Sequence, residues 1–294
     1  MLSNEKWFGA SGTGFYPTNI NQSLRFEDGD NPYLTLVAGD VGAGNRKTFT
    51  LSFWIKFGNQ TGQYIFSSYG SNSNNGFFYL SRQSDGTLKV AGYSATWFTS
   101  TAVFRDTTNF YHITLRVDSD NESGDNIIRV YVNNTLLTGT RSNPSDDFQF
   151  APNTSGEAIR VGANTYGDSV DSYVDGYMAE VNFLDGQSLA PTSFGETKNG
   201  VWIPKAISGL TYGTNGFRLT FSNSSDLGEN SANASKDLSS NGLASTDIVP
   251  DSPTNNFCTF NPLTPINDGS LSEGNLKFTG SSSWGGSQST FAIP

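Results

Sequence analysis

Ten consecutive residues, Thr48 to Phe57 (TFTLSFWIKF), alternate without a break. Phe49, Leu51, Phe53, Ile55 and Phe57 fall on one side; Thr50, Ser52, Trp54 and Lys56 fall on the other. A strand turns successive side chains to opposite faces, whereas a helix would scatter these apolar residues around its circumference. The segment therefore reads as a strand with one face in a core. Similar runs recur at Gln22 to Phe26, Tyr33 to Val37, QYIFSSY, GFFYLSRQ, TLKVAGYS, NFYHITLRVDS, NIIRVYVNN, EAIRVGANTY and Val174 to Leu184. Turns such as SNSNNG and SDNESGDN separate them, built from residues that tolerate tight backbone geometry. No segment carries three turns of helical periodicity, and SLAPTSFGET holds at most one short turn. The chain is expected to be all-β, an antiparallel two-sheet sandwich. Its core should contain Phe49, Leu51, Phe53, Ile55, Ile113, Leu115, Val117, Val130, Val132, Ile159, Val161, Val181 and Phe183.

Composition supports a sizeable core. The chain holds 22 Phe, 12 Tyr and 5 Trp in 294 residues, with only 15% charged side chains, which argues against a disordered polymer. The formal net charge of −10, with no cluster of Lys or Arg, excludes nucleic acid as an expected partner. Cys258 is the single cysteine, so neither an intrachain disulfide nor a thiolate metal cluster can form. The first residues have no apolar run long enough for a signal peptide or membrane span. Synthesis in a cytosol, with release by lysis, is the expectation.

Texture divides the chain further. An arm at 1–18 precedes the sandwich at 19–198, and 199–222 supplies extra strands that pack on it, with Phe217, Leu219 and Phe221 on one face. Residues 223–253 are polar and read as a linker. Residues 254–294, which begin in a proline-bearing stretch, read as a docking segment or the start of a further β-module. This last region has aromatic anchors at Phe257, Phe260, Phe278, Trp284 and Phe291 but is too short for an ordinary core. The anchors are expected to dock on a neighbouring subunit, another protein or the sandwich. Removing 251–294 should then leave a folded monomer that no longer assembles.

The segments TFTLSFWIKF, NFYHITLRVDS, IIRVYVNNTLL and DGYMAEVNFLDG occur in the order and spacing of a concanavalin A-like (laminin-G-type) jelly roll, and Asn19 to Ala190 resembles that fold. INQSLRFEDGDNPYL, GNRKTFTLSFWIKFG, DGYMAEVNFLDGQSLAPTSFGET and DSPTNNFCTFNPL resemble structural proteins of tailed bacteriophages. The resemblance implies a non-enzymatic virion protein of an appendage, fibre or capsid decoration. Its implied partners are other virion proteins, copies of itself and a cell-surface glycan. A free glycan-binding lectin and a carbohydrate-active enzyme are the alternatives.

Candidate sites divide by chemistry. Glycan-hydrolysing jelly rolls place paired carboxylates on one strand face, which needs even spacing. Asp175 and Glu180 are five apart, and Asp171 and Asp175 flank a strand entry, so turn residues are the better reading and no catalytic residue is assigned. His112, the single histidine, is expected to pack or hydrogen-bond. The acidic turn Glu27-Asp28-Gly29-Asp30-Asn31 offers oxygen ligands for a structural Ca²⁺. The resemblance implies help from Asp175 or Glu180, although Ala179 stands where many relatives have Asp. Asp28, Asp30, Asp175 and Glu180 are therefore the expected ligands, and no cofactor is required. Trp54, Tyr93, Trp97 and Phe98 are the candidate stacking platform for sugar rings.

Overall fold

The computed structural model describes residues 14–167, 169–264, 269–281 and 285–291. Two eight-stranded antiparallel sheets face one another. The first runs, in spatial order, Thr135–Leu136, Ile128–Val132, Tyr111–Asp118, Thr48–Phe57, Gly176–Asp185, Ser23–Phe26 and Ile248–Val249, with Phe217–Leu219 also paired to Gly176–Asp185. The second runs Gly139–Arg141, Thr96–Val103, Thr87–Ala91, Phe77–Arg82, Gln63–Tyr69, Ile159–Val161, Tyr33–Leu36 and Ser239–Asn241. Among the described residues helical structure is confined to short 3-10 turns, one of them Pro191–Ser193 within SLAPTSFGET. No helix among the described residues is long and apolar enough to cross a membrane.

Every residue expected in the core is buried between the sheets. Phe49, Phe66, Phe78, Phe150 and Phe183 form a web of ring contacts with centroids 5.3–6.4 Å apart. Each such side chain contributes about 1.5–3 kcal/mol through burial.

Register shifts decide which side chains face inward at several points, including Tyr64/Phe66, where Ile65 and Phe66 both enter the core. Met178 lies in the core, so strict alternation would turn Glu180 inward and Val181 outward. The strand instead slips register between Ala179 and Asn182, with Glu180 in a left-handed conformation at φ 48°. The extra residue keeps the carboxylate out and returns Val181 and Phe183 to the core. A further irregularity, where Val90–Ala91 faces Thr96–Phe98, brings the adjacent Trp97 and Phe98 both into the core.

The outer face of the first sheet is covered as well, and Thr48–Phe57 is buried at all ten positions. Ile20, Trp54, Phe110, Tyr177 and Ala179 cluster there under Trp202 and Val249. Trp202 comes from a hairpin of Gly195–Lys198 with Val201–Pro204.

The linker reading of 223–253 is corrected. Leu227 and Leu238 are buried in the core, Ser239–Asn241 pairs with Tyr33–Leu36, and Ile248–Val249 pairs with Ser23–Phe26. Each sheet thus ends in a short edge strand supplied by this segment.

The segment beyond 254 docks on the sandwich. Tyr177 Oη donates to the Gly274 carbonyl at 2.5 Å, Asn275 Nδ2 to that of Gly58 at 2.6 Å, and Arg25 pairs with Glu273 at 2.7 Å. Gly269–Ser272 and Lys277–Gly280 form a hairpin. Among the expected anchors, Phe260 and Phe278 meet at 6.4 Å, while Phe257 and Phe291 are exposed. Trp284 lies outside the described residues.

Candidate functional site

Phe77 and Tyr79 stand two residues apart on one strand, so Phe78 and Leu80 enter the core while these two rings point outward. Tyr64 and Tyr69, on the neighbouring strand, complete the row: Tyr64 lies 4.7 Å from Tyr79, and Tyr69 lies 5.6 Å from Phe77. Tyr166 packs on Tyr69 and Phe77 at 5.6 and 6.1 Å. Tyr93 then stacks on Tyr166 at 6.2 Å with the rings only 2° from parallel. Tyr93 and Tyr166 are 45% and 42% exposed, Tyr64 and Tyr69 are partly exposed, and Phe77 and Tyr79 are buried, so the accessible end of the row is the parallel Tyr93–Tyr166 pair.

Polar groups border this strip. Lys89 Nζ lies 5.8 Å from the centre of the Tyr79 ring, and Tyr69 Oη donates to Asn72 Oδ1 at 2.9 Å. Arg160 shares a cross-strand row with Ser67 and Tyr79. Its Nη1 donates to Thr165 Oγ1 at 2.7 Å, but its buried Nε has no partner among the described residues. Burial beside Tyr79 pushes the Tyr64 phenol up to about 12, so it keeps its proton as a donor. Flat apolar faces ringed by donors suit a ligand with both apolar faces and hydroxyls.

A second site lies where the Glu27–Asp28 turn meets Asp175. Carboxylate oxygens of Glu27, Asp28 and Asp175 lie within 4.8 Å of one another. Asn59 Nδ2 donates to Asp28 Oδ2 at 2.9 Å and the Gly274 amide donates to Glu27 Oε2 at 2.9 Å, but the buried Asp175 Oδ1 has no partner among the described residues. Burial, reinforced by the charges of Asp28 and Glu27, raises the Asp175 carboxyl to about 8. Three hard oxygen donors around an orphaned buried oxygen fit Ca²⁺, which takes carboxylates at 2.3–2.6 Å. Such an ion would neutralise the repulsion that these groups otherwise relieve by holding a proton. Asp30 is exposed and outside this cluster because the short 3-10 turn Asp28–Asp30 points it to solvent. Glu180 is elsewhere too: the bulge aims it at Arg218, 3.0 Å away.

A third feature is a cavity of about 170 Å³ on the outer side of the first sheet, lined in part by Ser52, Trp54, His112, Glu180, Asn182 and Arg218. Ser52 Oγ lies 2.9 Å from His112 Nε2 and Trp202 Nε1 lies 3.0 Å from His112 Nδ1. An indole N–H can only donate, so Nδ1 is the acceptor and Nε2 holds the proton. Nε2 therefore donates to Ser52 and, in this tautomer, cannot withdraw the serine proton. Full burial lowers the imidazole to about 3. The arrangement is that of a neutral, hydrogen-bonded packing residue.

The Laminin_G_3 family model, described as the concanavalin A-like lectin/glucanases superfamily, matches residues 28–191, more than half of the chain. The chain belongs to that superfamily. Among solved structures, a candidate carbohydrate-binding protein from Bacteroides ovatus ATCC 8483 is 18% identical with a TM-score of 0.52, over 76% of this chain and 58% of that one. A heptameric SAP-like pentraxin from Limulus polyphemus is 18% identical with a TM-score of 0.44, over 59% of this chain and 80% of that one. The CBM40 of the Ruminococcus gnavus IT-sialidase is 15% identical with a TM-score of 0.42, over 59% and 96%. No curated protein matches the chain. At these identities the likeness is one of fold.

Within this superfamily domain, the expected aromatic platform does not assemble. Trp97 stacks on Phe78 at 5.7 Å inside the core, Phe98 is fully buried, and Trp54 packs on His112 at 4.8 Å on the other sheet. Of the four expected residues, Tyr93 alone is exposed. Its partners Tyr64, Tyr69, Phe77, Tyr79 and Tyr166 were missed; the same-face pair Phe77 and Tyr79 of GFFYLSRQ was a signal, whereas Tyr64 and Tyr69 are five apart and share a face only through the register shift between Tyr64 and Phe66. Of the expected calcium ligands, Asp28 and Asp175 are brought together, with Glu27 beside them.

Proposed function

We propose that this domain binds glycans without hydrolysing them and is displayed on the particle of a tailed bacteriophage, in an appendage, fibre or capsid decoration. The observation that carries the reading is the open Tyr93–Tyr166 stack continuing into Tyr69, Phe77, Tyr79 and Tyr64. Sugar rings present apolar faces to such a strip while their hydroxyls meet Lys89, Asn72 and the tyrosine phenols. The Bacteroides ovatus structure supports it through the shared fold and its description as a candidate carbohydrate-binding protein. The virion setting is supported by the sequence segments that resemble phage structural proteins, and it makes other virion proteins and further copies of this chain the partners. The non-catalytic reading is supported by the tautomer of His112 and by Glu180 being held by Arg218. Calcium, in this reading, sits among Glu27, Asp28 and Asp175 as a structural ion.

Glycan-array binding by the wild-type chain, followed by titration of Tyr93→Ala and Tyr166→Ala, tests the proposal. Each substitution removes a stacking face worth about 0.5–1.5 kcal/mol beyond area burial. Affinity should fall about three- to tenfold per ring with no change in melting temperature. Unchanged affinity in the double variant would move the binding site elsewhere, and product release from a polysaccharide would favour an enzyme. Imaging labelled antibody on phage particles tests the setting: label on the particle is expected, and its absence favours a free lectin.

A further inference from the structure

Lys56 is a charged side chain in an unusual place. It lies on the outer face of Thr48–Phe57, yet it is only 1% exposed. The Phe110 and Tyr177 rings flank its Nζ, with centroids at 5.3 and 4.9 Å. Asp251, 3% exposed, hydrogen-bonds to Lys56 Nζ through Oδ2 and accepts the Phe257 amide N–H on Oδ1 at 3.1 Å. Asn256 Oδ1 lies 3.0 Å from the same Nζ. Asn256 Nδ2 donates to the Thr108 carbonyl at 2.7 Å, which fixes the amide with its carbonyl toward the lysine. The segment bearing both partners is itself pinned. Ser23 Oγ donates to the Asp251 carbonyl at 2.5 Å, and Ser252 Oγ and Thr254 Oγ1 donate to that of Ile20 at 2.5 and 2.8 Å. An amine and a carboxyl, both buried, and a half-buried primary amide are thus held together beside two aromatic rings by residues about 200 positions apart in the chain.

We propose that Lys56 and Asn256 become joined by an intramolecular isopeptide bond, with Asp251 as the assisting acid–base group. An ion pair so deeply buried loses much of its Coulomb attraction to desolvation, so transfer of the ammonium proton to Asp251 is accessible. Burial, the largest influence on both groups, lowers the amine and raises the acid. The neutral Nζ then attacks Asn256 Cγ, and a C–N bond forms. Protonated Asp251 gives its proton to the departing amide nitrogen, and the carboxylate so formed takes up the proton left on the attacking nitrogen. The Cγ–Nδ2 bond breaks and ammonia leaves, so lysine amine plus asparagine amide become a secondary amide plus ammonia, with Asp251 unchanged. No oxidant, metal or cofactor is needed, since fixed proximity supplies the rate. The product would tie the C-terminal segment covalently to the central strand of the first sheet. A surface module loaded by its target would gain resistance to being pulled apart.

Intact-mass measurement of the folded, purified chain tests this directly, combined with proteolytic mapping under denaturing conditions. The expected mass is the sequence mass less one ammonia, with a branched peptide joining the Lys56 and Asn256 fragments. Asn256→Ala and Lys56→Arg should each restore the uncrosslinked mass and lose the branched peptide, and Asp251→Asn should slow or abolish its formation. A folded wild-type chain that keeps its full sequence mass after prolonged incubation overturns the proposal. So does loss of ammonia without a branched peptide, as succinimide formation would give, or loss of water with a branch at Asp251. Because the wild-type chain alone decides the matter, a variant that fails to fold does not blunt the test.

Discussion

Asp175→Asn should stabilise the calcium-free protein at alkaline pH while abolishing its response to calcium. The Asp175 carboxyl is raised from an ordinary 3.8 to about 8 by burial and by the neighbouring Asp28 and Glu27. Its folded state therefore holds a proton that the unfolded state has lost anywhere between those two values. Stability from this group is present in full at low pH and declines by about 1.4 kcal/mol for each pH unit through that window. At pH 8 the accumulated loss is on the order of 5 kcal/mol, an upper figure because the turn can relax toward water. An asparagine amide has no charge to desolvate and can donate to the adjacent carboxylates, so most of that loss should be recovered. Calcium reverses the comparison, because it binds the ionised carboxylate that the empty site resists. Urea denaturation of both proteins at pH 5 and pH 8, in chelator and in millimolar calcium, measures each term. The wild type should gain more from calcium at pH 8 than at pH 5, and Asp175→Asn should gain little at either. Equal calcium gains in both proteins, or a variant less stable than wild type in chelator at pH 8, would refute the reasoning.

Two further outcomes follow from buried groups. His112, lowered to about 3 against an ordinary 6.5, takes up a proton on unfolding between those values. The contribution of this group should therefore fall by about 1.4 kcal/mol for each pH unit below about 6.5, against the opposite slope from Asp175, and His112→Gln should be more stable relative to wild type at pH 4 than at pH 7 in denaturant titrations. Truncation before Asp251 should cost on the order of 3–5 kcal/mol, because Lys56 loses its buried partner and the outer face of the first sheet is uncovered. A truncated chain with an unchanged melting temperature would return this segment to the role of a mere assembly tail.

Alternation made the interior legible and little else. The period of Thr48–Phe57 identified which side chains face the opposing sheet, because a one-residue slip would turn five apolar groups away from it. Where the period breaks, the reading breaks with it. Trp97 and Phe98 are neighbours, and simple alternation allows only one of them inside; the irregularity opposite Val90–Ala91 takes both. The parity change between Met178 and Val181 was visible in the sequence, and it already implied an extra residue at Glu180. The expected burial of Val181 and Phe183 absorbed that change without locating the bulge.

The sites were less legible because they depend on what covers each outer face. Sequence pattern marks Trp54 and Tyr79 alike as aromatic residues on the polar side of a strand. One is roofed by the Trp202 hairpin from far along the chain, and the other lies among aromatic rings of its own and the neighbouring strand. The C-terminal segment shows the same limit in its sharpest form. Asp251 and Asn256 are ordinary turn-forming residues in a proline-bearing stretch, and Lys56 is an ordinary polar alternate in a strand. Their chemistry arises only when the segment closes the edge beside Ser23–Phe26 and lies down over Tyr177, bringing an amine, an acid and an amide together. Reading polarity as exposure fails there because these polar groups satisfy one another. The same mutual satisfaction hides His112 between Ser52 and Trp202.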